Sequence, residues 1–261
     1  MSAVPEVVVF HGADALAQAA AARLVTRVVE AQDARGSASL VLTGGGIGTA
    51  VLAALAVSPA RDAWDWQHLD LWWGDERFVV SGDPDRNETG ARSALLDAVD
   101  LDPARVHPMP ASDGPDGDEP EAAAARYSQE LAAAAQPGDR AGVPTFDVAL
   151  LGVGEDAHVA SLFPELPALH ETTRSVVAVR GAPKPPPTRI SLTLATIGRA
   201  AEVWLLAAGQ AKAQAVHLAL SAAGPVQVPA AGARGLARTL VLLDQAAAGQ
   251  LPPSLRRLSS P

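Results

Sequence analysis

The sequence contains no cysteine, and it has only 20 lysine and arginine residues against 29 aspartate and glutamate residues. Without cysteine there is no disulfide, no thiolate nucleophile and no cysteine-ligated zinc or iron, which fits the reducing cytoplasm that we expect for this protein. The excess of acids gives a formal net charge of -9, whereas a nucleic acid or an anionic membrane requires a basic surface. We therefore expect neither as a partner, and an anionic ligand would need a local cationic pocket.

Long apolar runs of the kind that enter membranes are also missing. The opening MSAVPEVVVFHGAD lacks the basic segment and the long apolar stretch of a signal peptide, so no export is expected. Residues 36–60 carry no charge, but they are interrupted by Gly44, Gly45, Gly46 and Gly48. This segment is predicted to form a strand, a turn and a helix, and not a membrane span.

The sequence further lacks the signatures of several enzyme classes. It has no G-x-S-x-G elbow of a serine hydrolase, no H-E-x-x-H zinc motif and neither of the glycine-rich nucleotide fingerprints. The histidines are scattered without the spacing of metal ligands, at His11, His68, His107, His158, His170 and His217. No metal and no cofactor is therefore expected.

What the chain does contain is an alternation of apolar and alanine-rich segments. Apolar blocks of strand length lie at 7–10, 39–44, 69–74, 146–154, 175–179, 189–194, 203–209 and 239–244. Segments of helical length lie between most of them, at 13–32, 48–57, 121–135 and 211–222. This alternation predicts βαβ units. We expect one α/β domain over residues 1–261, with a mostly parallel Rossmann-like sheet, helices on both faces, small embellishments and a frayed tail from about 251 to 261.

Three predicted strand ends carry glycines or polar residues, and open α/β sheets bind ligands at the carboxyl ends of their strands. The first is LVLTGGGIGTAVL, in which Gly44, Gly45 and Gly46 separate a strand from a helix that is expected to begin around Gly48. Glycines let backbone N–H groups approach an anion, and a helix N-terminus favours negative charge, so a phosphate would fit here. A tight strand-to-helix connection without a ligand is the alternative.

The second strand end is LWWGDERFVVSGDPDRNETG, with Asp75 and Arg77 after the strand and Asn87 further along. The forked donors of Arg77 are suited to a phosphate or carboxylate oxygen. The alternative is a solvated loop with an aspartate–arginine ion pair. Asn87 is either a helix cap or a ligand residue.

The third strand end, LLGVGEDAHVASLFP, has an acid-x-histidine pair directly after a glycine turn. An imidazole titrates near neutrality and can take a proton from water, so His158 is the candidate general base. Asp156 is the candidate that orients the ring or stabilises its cation, whereas Glu155 is expected to be exposed. A purely structural histidine is the alternative.

Two further cations complete the candidate site. Arg189 follows the proline cluster of GAPKPPPTRI and opens a strand. Lys212 lies at the predicted start of a helix, where its charge opposes the helix dipole, and a bound anion would compensate for this. Lys212 and Lys184 are the only lysines in the chain. The alternative for Lys212 is a surface lysine whose stem covers apolar atoms.

Together these segments resemble the 6-phosphogluconolactonase family of the oxidative pentose phosphate pathway. The resemblance rests on LTGGG, WWGDERFV with DPDRN, LLGVGEDAHVASLFP, PKPPPTRISLTL and GQAKAQAV, in that order, and GEDAHVASLFP is the most specific. The family usually has glycine where Ala157 stands, and a hydroxyl residue where this chain has Gly46 and Ile47. The related glucosamine-6-phosphate deaminases follow their histidine with a segment like IAFNEP, and Phe163 stands here at the position of its glutamate.

The resemblance implies hydrolysis of 6-phospho-D-glucono-1,5-lactone, with His158 as the base that activates water and Asp156 as its support. The substrate-binding residues that it implies are Gly44, Gly45, Gly46, Asp75, Arg77, Asn87, Arg189 and Lys212. Phe163 cannot transfer a proton, which argues against the deaminase alternative. A non-catalytic sugar-phosphate-binding protein is a further alternative. The expected partner is the small sugar-phosphate lactone, and the expected assembly is a monomer or a weak homodimer.

Overall fold

A computed structural model describes residues 4–139, 142–221 and 223–256. Ten strands lie within these ranges: β1 Glu6–Phe10, β2 Ala38–Leu42, β3 Leu69–Trp73, β4 Asp75–Arg77, β5 Val106–His107, β6 Val148–Gly152, β7 Val176–Val179, β8 Arg189–Leu192, β9 Glu202–Ala207 and β10 Arg238–Asp244. The described α-helices between them are α1 Ala13–Arg35, α2 Gly45–Ala56, α3 Asn87–Ala94, α4 Pro120–Ala134, α5 Leu194–Ile197, α6 Ala213–Leu220 and α7 Pro229–Gly232. Each apolar block predicted from the sequence overlaps one strand, and β4 and β5 are additional.

Seven of the described strands form one sheet in the order β1-β10-β9-β6-β2-β3-β5, and all neighbours in it run parallel. The chain begins at the β1 edge, crosses to β2 and adds β3 and β5 outward on one side. It then returns to β6 beside β2 and adds β9 and β10 on the other side. The direction of strand addition therefore reverses between β2 and β6, which is where open α/β sheets bind their ligands.

Both faces of this sheet are covered. Trp72 and Trp73 are successive residues of β3 and point to opposite faces, yet each is only 1% exposed. The helices α1 and α2 pack against each other, α1 also against β10 and α2 against β6 and β9. A strand that is buried on both faces is apolar throughout, which is why the central strands are readable as continuous apolar blocks. The predicted α/β class with a mostly parallel sheet is confirmed.

A second, smaller sheet has the order β4-β8-β7, and its strands pair antiparallel. The apolar blocks at 175–179 and 189–194 therefore lie in this sheet and not in the parallel one. The reason is the short connection, because residues 180–188 are too few for the crossover that a parallel pair needs, and four of them are proline. β4 follows directly after β3, so the small sheet adjoins the carboxyl edge of the large one.

The segment expected to fray from residue 251 begins with an ordered residue. Leu251 is buried, and its carbonyl accepts a hydrogen bond from Nε of Arg256 over 2.6 Å. Residues 257–261 of this segment lie outside the described residues. No helix in the described part of the chain is long and apolar enough to cross a membrane.

Candidate active site

The carboxyl ends of β2 and β6 open into a cavity of about 580 Å³. The two strand ends are joined by the N–H of Gly152, which donates to Oγ1 of Thr43 over 3.3 Å. All the residues expected to bind substrate line this cavity together with the candidate base: Gly44, Gly45, Gly46, Asp75, Arg77, Asn87, His158, Arg189 and Lys212. The structure thus brings together residues that lie in or after five strands, β2, β4, β6, β8 and β9, and that are far apart in sequence.

His158 and Asp156 form a hydrogen-bonded pair at the wall of the cavity. Nδ1 of His158 bonds to Oδ1 of Asp156, and this oxygen also accepts the backbone N–H of His158 over 3.3 Å. Burial disfavours the charge of Asp156, but the hydrogen bond and charge of His158 outweigh it and hold the pKa of the carboxyl at about 2. Because Nδ1 is occupied by the carboxylate, Nε2 is the ring nitrogen left to accept a proton.

The turn that carries this pair depends on Gly154. Its N–H donates to the carbonyl of His158 over 2.9 Å, and its carbonyl accepts the N–H of Ala157 over 3.0 Å. A Cβ at this position would stand 2.0 Å from Nδ1 of His158 and 2.5 Å from Oδ1 of Asp156. Glycine at 154 therefore leaves the space in which the imidazole and the carboxylate meet.

Phe163 packs against the ring of His158. The two ring centroids are 4.4 Å apart with an interplanar angle of 41°. The guanidinium carbon of Arg189 lies 5.6 Å from the centre of the same phenylalanine ring. Phe163 is buried, so it places an apolar surface, and no proton-transfer group, between the histidine and this arginine.

Asp75 links Asn87 to Ser161 through its carboxylate. Nδ2 of Asn87 donates to the backbone carbonyl of Asp75 over 2.7 Å and to Oδ1 over 3.3 Å, while Oγ of Ser161 donates to Oδ2 over 2.5 Å. Arg77 donates to Oδ1 of Asn87 and to the carbonyl of Asp85. Asp75 and Asn87 are both buried, so these residues form a packed polar network, whereas residues 80–85 between them are mostly exposed.

The cap of α3 is Glu76 and not Asn87, which corrects one of the two roles considered for Asn87. The carboxylate of Glu76 accepts the backbone N–H groups of Arg77 over 2.9 Å, Asn87 over 2.6 Å and Glu88 over 2.9 Å. Asn87 is the first helical residue, and its side chain is directed to Asp75 instead. The prediction considered only residues next to the start of the helix. The capping carboxylate instead comes from β4, which the fold places beside the first turn of α3.

Glu76 is completely buried in this arrangement. Burial raises the pKa of its carboxyl to about 7, although the charge of Arg86 and the three backbone N–H groups favour the ionised form. Sequence reasoning missed Glu76, which stands between Asp75 and Arg77 without any distinguishing pattern. Its contacts fix the backbone of two residues that line the cavity, Arg77 and Asn87.

The glycine turn after β2 leads into α2 sooner than expected, because the helix begins at Gly45 and not near Gly48. Gly45 has a φ of 75°, which glycine adopts without strain. Among the described residues no side chain caps the first turn of α2, and no acid lies in that turn. Gly45, Gly46 and Ile47 of this turn line the cavity, and N–H groups at a helix N-terminus are suited to bind an anion. Gly44 passes so close to Asn87 that a Cβ would stand 1.8 Å from the Oδ1 atom of Asn87.

Both lysines of the chain line the cavity. Lys212 precedes α6 as its cap residue, and its Nζ lies 3.9 Å from Oε1 of Glu155, which is exposed as predicted. Burial and then the charge of Lys184 lower the pKa of Lys212. Lys184 was not predicted as a site residue, and the signal that could have found it is the scarcity of lysine in the chain.

The cavity therefore combines one paired imidazole with a cationic lining. Its charged side chains are those of Arg77, Lys184, Arg189 and Lys212 against the single acid Asp75. A group that can take a proton from water thus faces a space suited to an anion. Within residues 4–139, 142–221 and 223–256, no three or more His, Asp or Glu side chains are grouped as metal ligands.

Comparison with known proteins identifies the family to which such a site belongs. Residues 11–241 match the family described as glucosamine-6-phosphate isomerases/6-phosphogluconolactonase. The chain is a member of this family. It is 66% identical over 255 residues to a 6-phosphogluconolactonase of Streptomyces coelicolor, with 98% of each chain covered. It is 52% identical over 244 residues to that of Mycobacterium tuberculosis, covering 94% of this chain and 97% of the relative.

The solved structure of the 6-phosphogluconolactonase from Trypanosoma brucei has the same fold. It superimposes with a TM-score of 0.82 at 29% sequence identity, covering 95% of this chain and 99% of that one. The superposition therefore leaves only a small part of either chain uncovered. The glucosamine-6-phosphate isomerase/6-phosphogluconolactonase family thus accounts for almost the whole chain.

This family member departs from the usual family residues at Ala157, in the turn before His158, and at Gly46, which lines the cavity. Ala157, where glycine is usual, has a φ of 65° in the left-handed region, and its carbonyl accepts the N–H of Ala230 over 3.0 Å. Gly46, where a hydroxyl residue is usual, has open space beside its Cα, since a Cβ there would meet nothing within 4 Å. Ala157 thus adopts a conformation that glycine enters more readily, and the cavity has no side chain at 46.

Proposed function

We propose that the chain hydrolyses 6-phospho-D-glucono-1,5-lactone to 6-phospho-D-gluconate in the oxidative pentose phosphate pathway. The observation that carries this proposal is the pair of His158 and Asp156 facing a cavity lined by four cations and one acid. The two bacterial relatives that are 66% and 52% identical are both 6-phosphogluconolactonases, which supports the same substrate.

The chemistry requires one base and no cofactor. Nε2 of His158 takes a proton from a water molecule, and the resulting hydroxide attacks C1 of the lactone. The tetrahedral intermediate collapses by breaking the bond between C1 and the ring oxygen, which receives the proton from His158. Asp156 keeps the imidazole in the tautomer with the proton on Nδ1 and stabilises the imidazolium that forms. One water is consumed, the new carboxyl group releases one proton to the solvent as it ionises, and the histidine ends in its starting state.

The substrate phosphate anchors the lactone away from the reacting carbon. In this proposal the N–H groups of Gly44, Gly45 and Gly46 hold the phosphate with Lys212, and the positive charge of Arg189 contributes at the same end. Anchoring a remote group fixes the carbonyl next to the activated water without taking part in the chemistry. Backbone N–H groups of a glycine turn or the guanidinium of Arg77 stabilise the oxyanion. Asp75 and Asn87 hold Arg77 in place and contact the sugar end.

The deaminase alternative needs an additional acid beside the histidine. Phe163 occupies that place and packs on His158 with ring centroids 4.4 Å apart, so an amino sugar would find no group there to assist ring opening. We also propose that the enzyme acts in the cytoplasm. We propose that it is a monomer or a weak homodimer, since every residue assigned a role belongs to one chain.

The test is the rate of lactone opening in a pH-stat with freshly generated 6-phosphogluconolactone, run beside an ammonia-release assay with glucosamine 6-phosphate. We expect acceleration of the first reaction and no ammonia. His158→Ala should lower kcat by roughly 100- to 10,000-fold, and Lys212→Ala should chiefly raise KM. His68→Ala is the matched control, because His68 also pairs with an aspartate through Nδ1 but does so at the exposed Asp65, away from the cavity.

Three results would contradict the proposal. The first is a wild-type rate no faster than spontaneous hydrolysis, which would leave a sugar-phosphate-binding protein without turnover. The second is release of ammonia from glucosamine 6-phosphate. The third is an unchanged rate in His158→Ala, which would remove the histidine from the role of base.

A further inference from the structure

The guanidinium of Arg189 is mostly committed to the loop that carries Lys184. Nε donates to the carbonyl of Pro186 over 3.1 Å, and Nη2 donates to the carbonyls of Lys184 over 2.9 Å and Pro185 over 3.3 Å. Nη1 contacts Oγ of Ser161 at 3.5 Å. Arg189 is only 4% exposed. A guanidinium has five N–H donors, so most of those of Arg189 serve the loop, and few are left for a ligand.

Lys184 lies at the rim of the cavity, on this loop. It is exposed and lines the same cavity as the half-buried Lys212. Nζ of Lys212 forms a salt bridge with Oε1 of Glu155 at 3.9 Å. Within the described ranges, Lys184 forms no salt bridge. Two ammonium groups at one cavity repel each other, and the charge of Lys184 adds to burial, the larger cause, in lowering the pKa of Lys212. A ligand with two negative charges would relieve this repulsion.

We infer that Lys184 is a specificity-determining residue that binds the substrate phosphate together with Lys212, and that Arg189 holds its loop in place for this purpose. A phosphate monoester carries close to two negative charges near pH 7, which matches two lysines better than one. The overall charge of the chain is -9, so attraction of a dianion depends on such local cations. The inference rests on the proposed function and names the residue that selects a phosphorylated lactone over a neutral one.

The experiment compares kcat/KM for 6-phosphogluconolactone with kcat/KM for unphosphorylated D-glucono-1,5-lactone. In Lys184→Ala we expect the ratio of the two values to fall about tenfold, because one charged contact to the phosphate is lost. Lys184→Arg should restore most of the ratio. The matched control is Arg180→Ala, which removes a cation four positions away whose guanidinium pairs with Glu121 at the surface. This control should keep the wild-type ratio.

An unchanged ratio in Lys184→Ala would overturn the inference, and so would an equal loss on both lactones, which would indicate a merely structural role. Calorimetric titration with inorganic phosphate separates this inference from the proposed function, because it needs no turnover. If the wild-type protein binds phosphate about tenfold more tightly than Lys184→Ala, the assignment of Lys184 stands even where the wild-type protein opens no lactone. Equal affinities would refute it even in an active lactonase.

Discussion

Replacement of Gly154 by alanine tests whether the contact between His158 and Asp156 drives the reaction. The added Cβ would stand 2.0 Å from Nδ1 and 2.2 Å from Cε1 of His158, and 2.5 Å from Oδ1 of Asp156. Non-bonded heavy atoms need a separation of about 3.5 Å between their centres. The imidazole must therefore move by more than about 1 Å, and it must move away from the carboxylate that orients it.

The expected loss is set by what general-base catalysis contributes. A displacement of about 1 Å costs on the order of 100-fold in rate, and complete loss of the base costs up to roughly 10,000-fold. We expect kcat of Gly154→Ala to fall within this range. KM should change little, because the residues proposed to hold the phosphate are not touched. The loss of stability should be near the lower end of the 1 to 3 kcal/mol typical of overpacking, since His158 can turn into the cavity.

Gly152→Ala is the matched control for this substitution. Gly152 lines the same cavity two residues earlier, but the nearest atom to a Cβ there is Oγ1 of Thr43 at 3.8 Å, an ordinary contact. Neither glycine has a positive φ, so the two variants differ in side-chain space alone. The measurements are initial rates in the pH-stat and thermal unfolding. Wild-type kcat in Gly154→Ala, or an equal loss in Gly152→Ala, would refute the reasoning.

Two further predictions concern the residues around α3 and α2. Burial raises the pKa of Glu76 from 4.5 to about 7. The protonated carboxyl therefore adds about 3 kcal/mol to the free energy of unfolding below pH 4.5, and this contribution is lost as the pH rises through 7. Urea unfolding between pH 5 and 8 should show this loss in the wild type and not in Glu76→Gln, and identical profiles would contradict it. Gly44→Ala should displace Asn87, whose Oδ1 would lie 1.8 Å from the new Cβ, and should raise KM. Gly46→Ala, with nothing within 4 Å, should stabilise the protein by up to about 1 kcal/mol; equal KM values in these two variants would argue against the close contact at Gly44.

The positions of the strands were readable from the sequence because burial on both faces produces continuous apolar blocks. The same blocks did not reveal which strands pair. β7 and β8 were also read as apolar blocks, like the strands of the parallel sheet, yet the short connection between them makes them antiparallel. Pairing depends on the length and path of a connection, which apolar content does not record.

The candidate catalytic pair was likewise indicated by the local sequence, whereas its surroundings were not. Asp156 and His158 are two positions apart, so the turn that joins them is a local feature, and its sequence alone indicates a paired imidazole at a strand end. The environment of that pair is not local. Gly152 and Gly154 look alike in sequence, and only the packed structure shows that a side chain is excluded at 154 and tolerated at 152.

The sequence by itself determined the α/β class, the strand ends that are proposed to bind a ligand and the residue types available there, since each of these follows from local patterns of apolar, glycine and charged residues. Only the tertiary structure decided that Glu76 caps a helix eleven residues away, that Phe163 packs on His158, and that Arg189 holds the loop of Lys184. The contact of Glu76 joins β4 to α3 and depends on the path of the chain between them. The other two contacts each span five residues, but the turns that make them are shaped by the packing around them, which no local pattern contains.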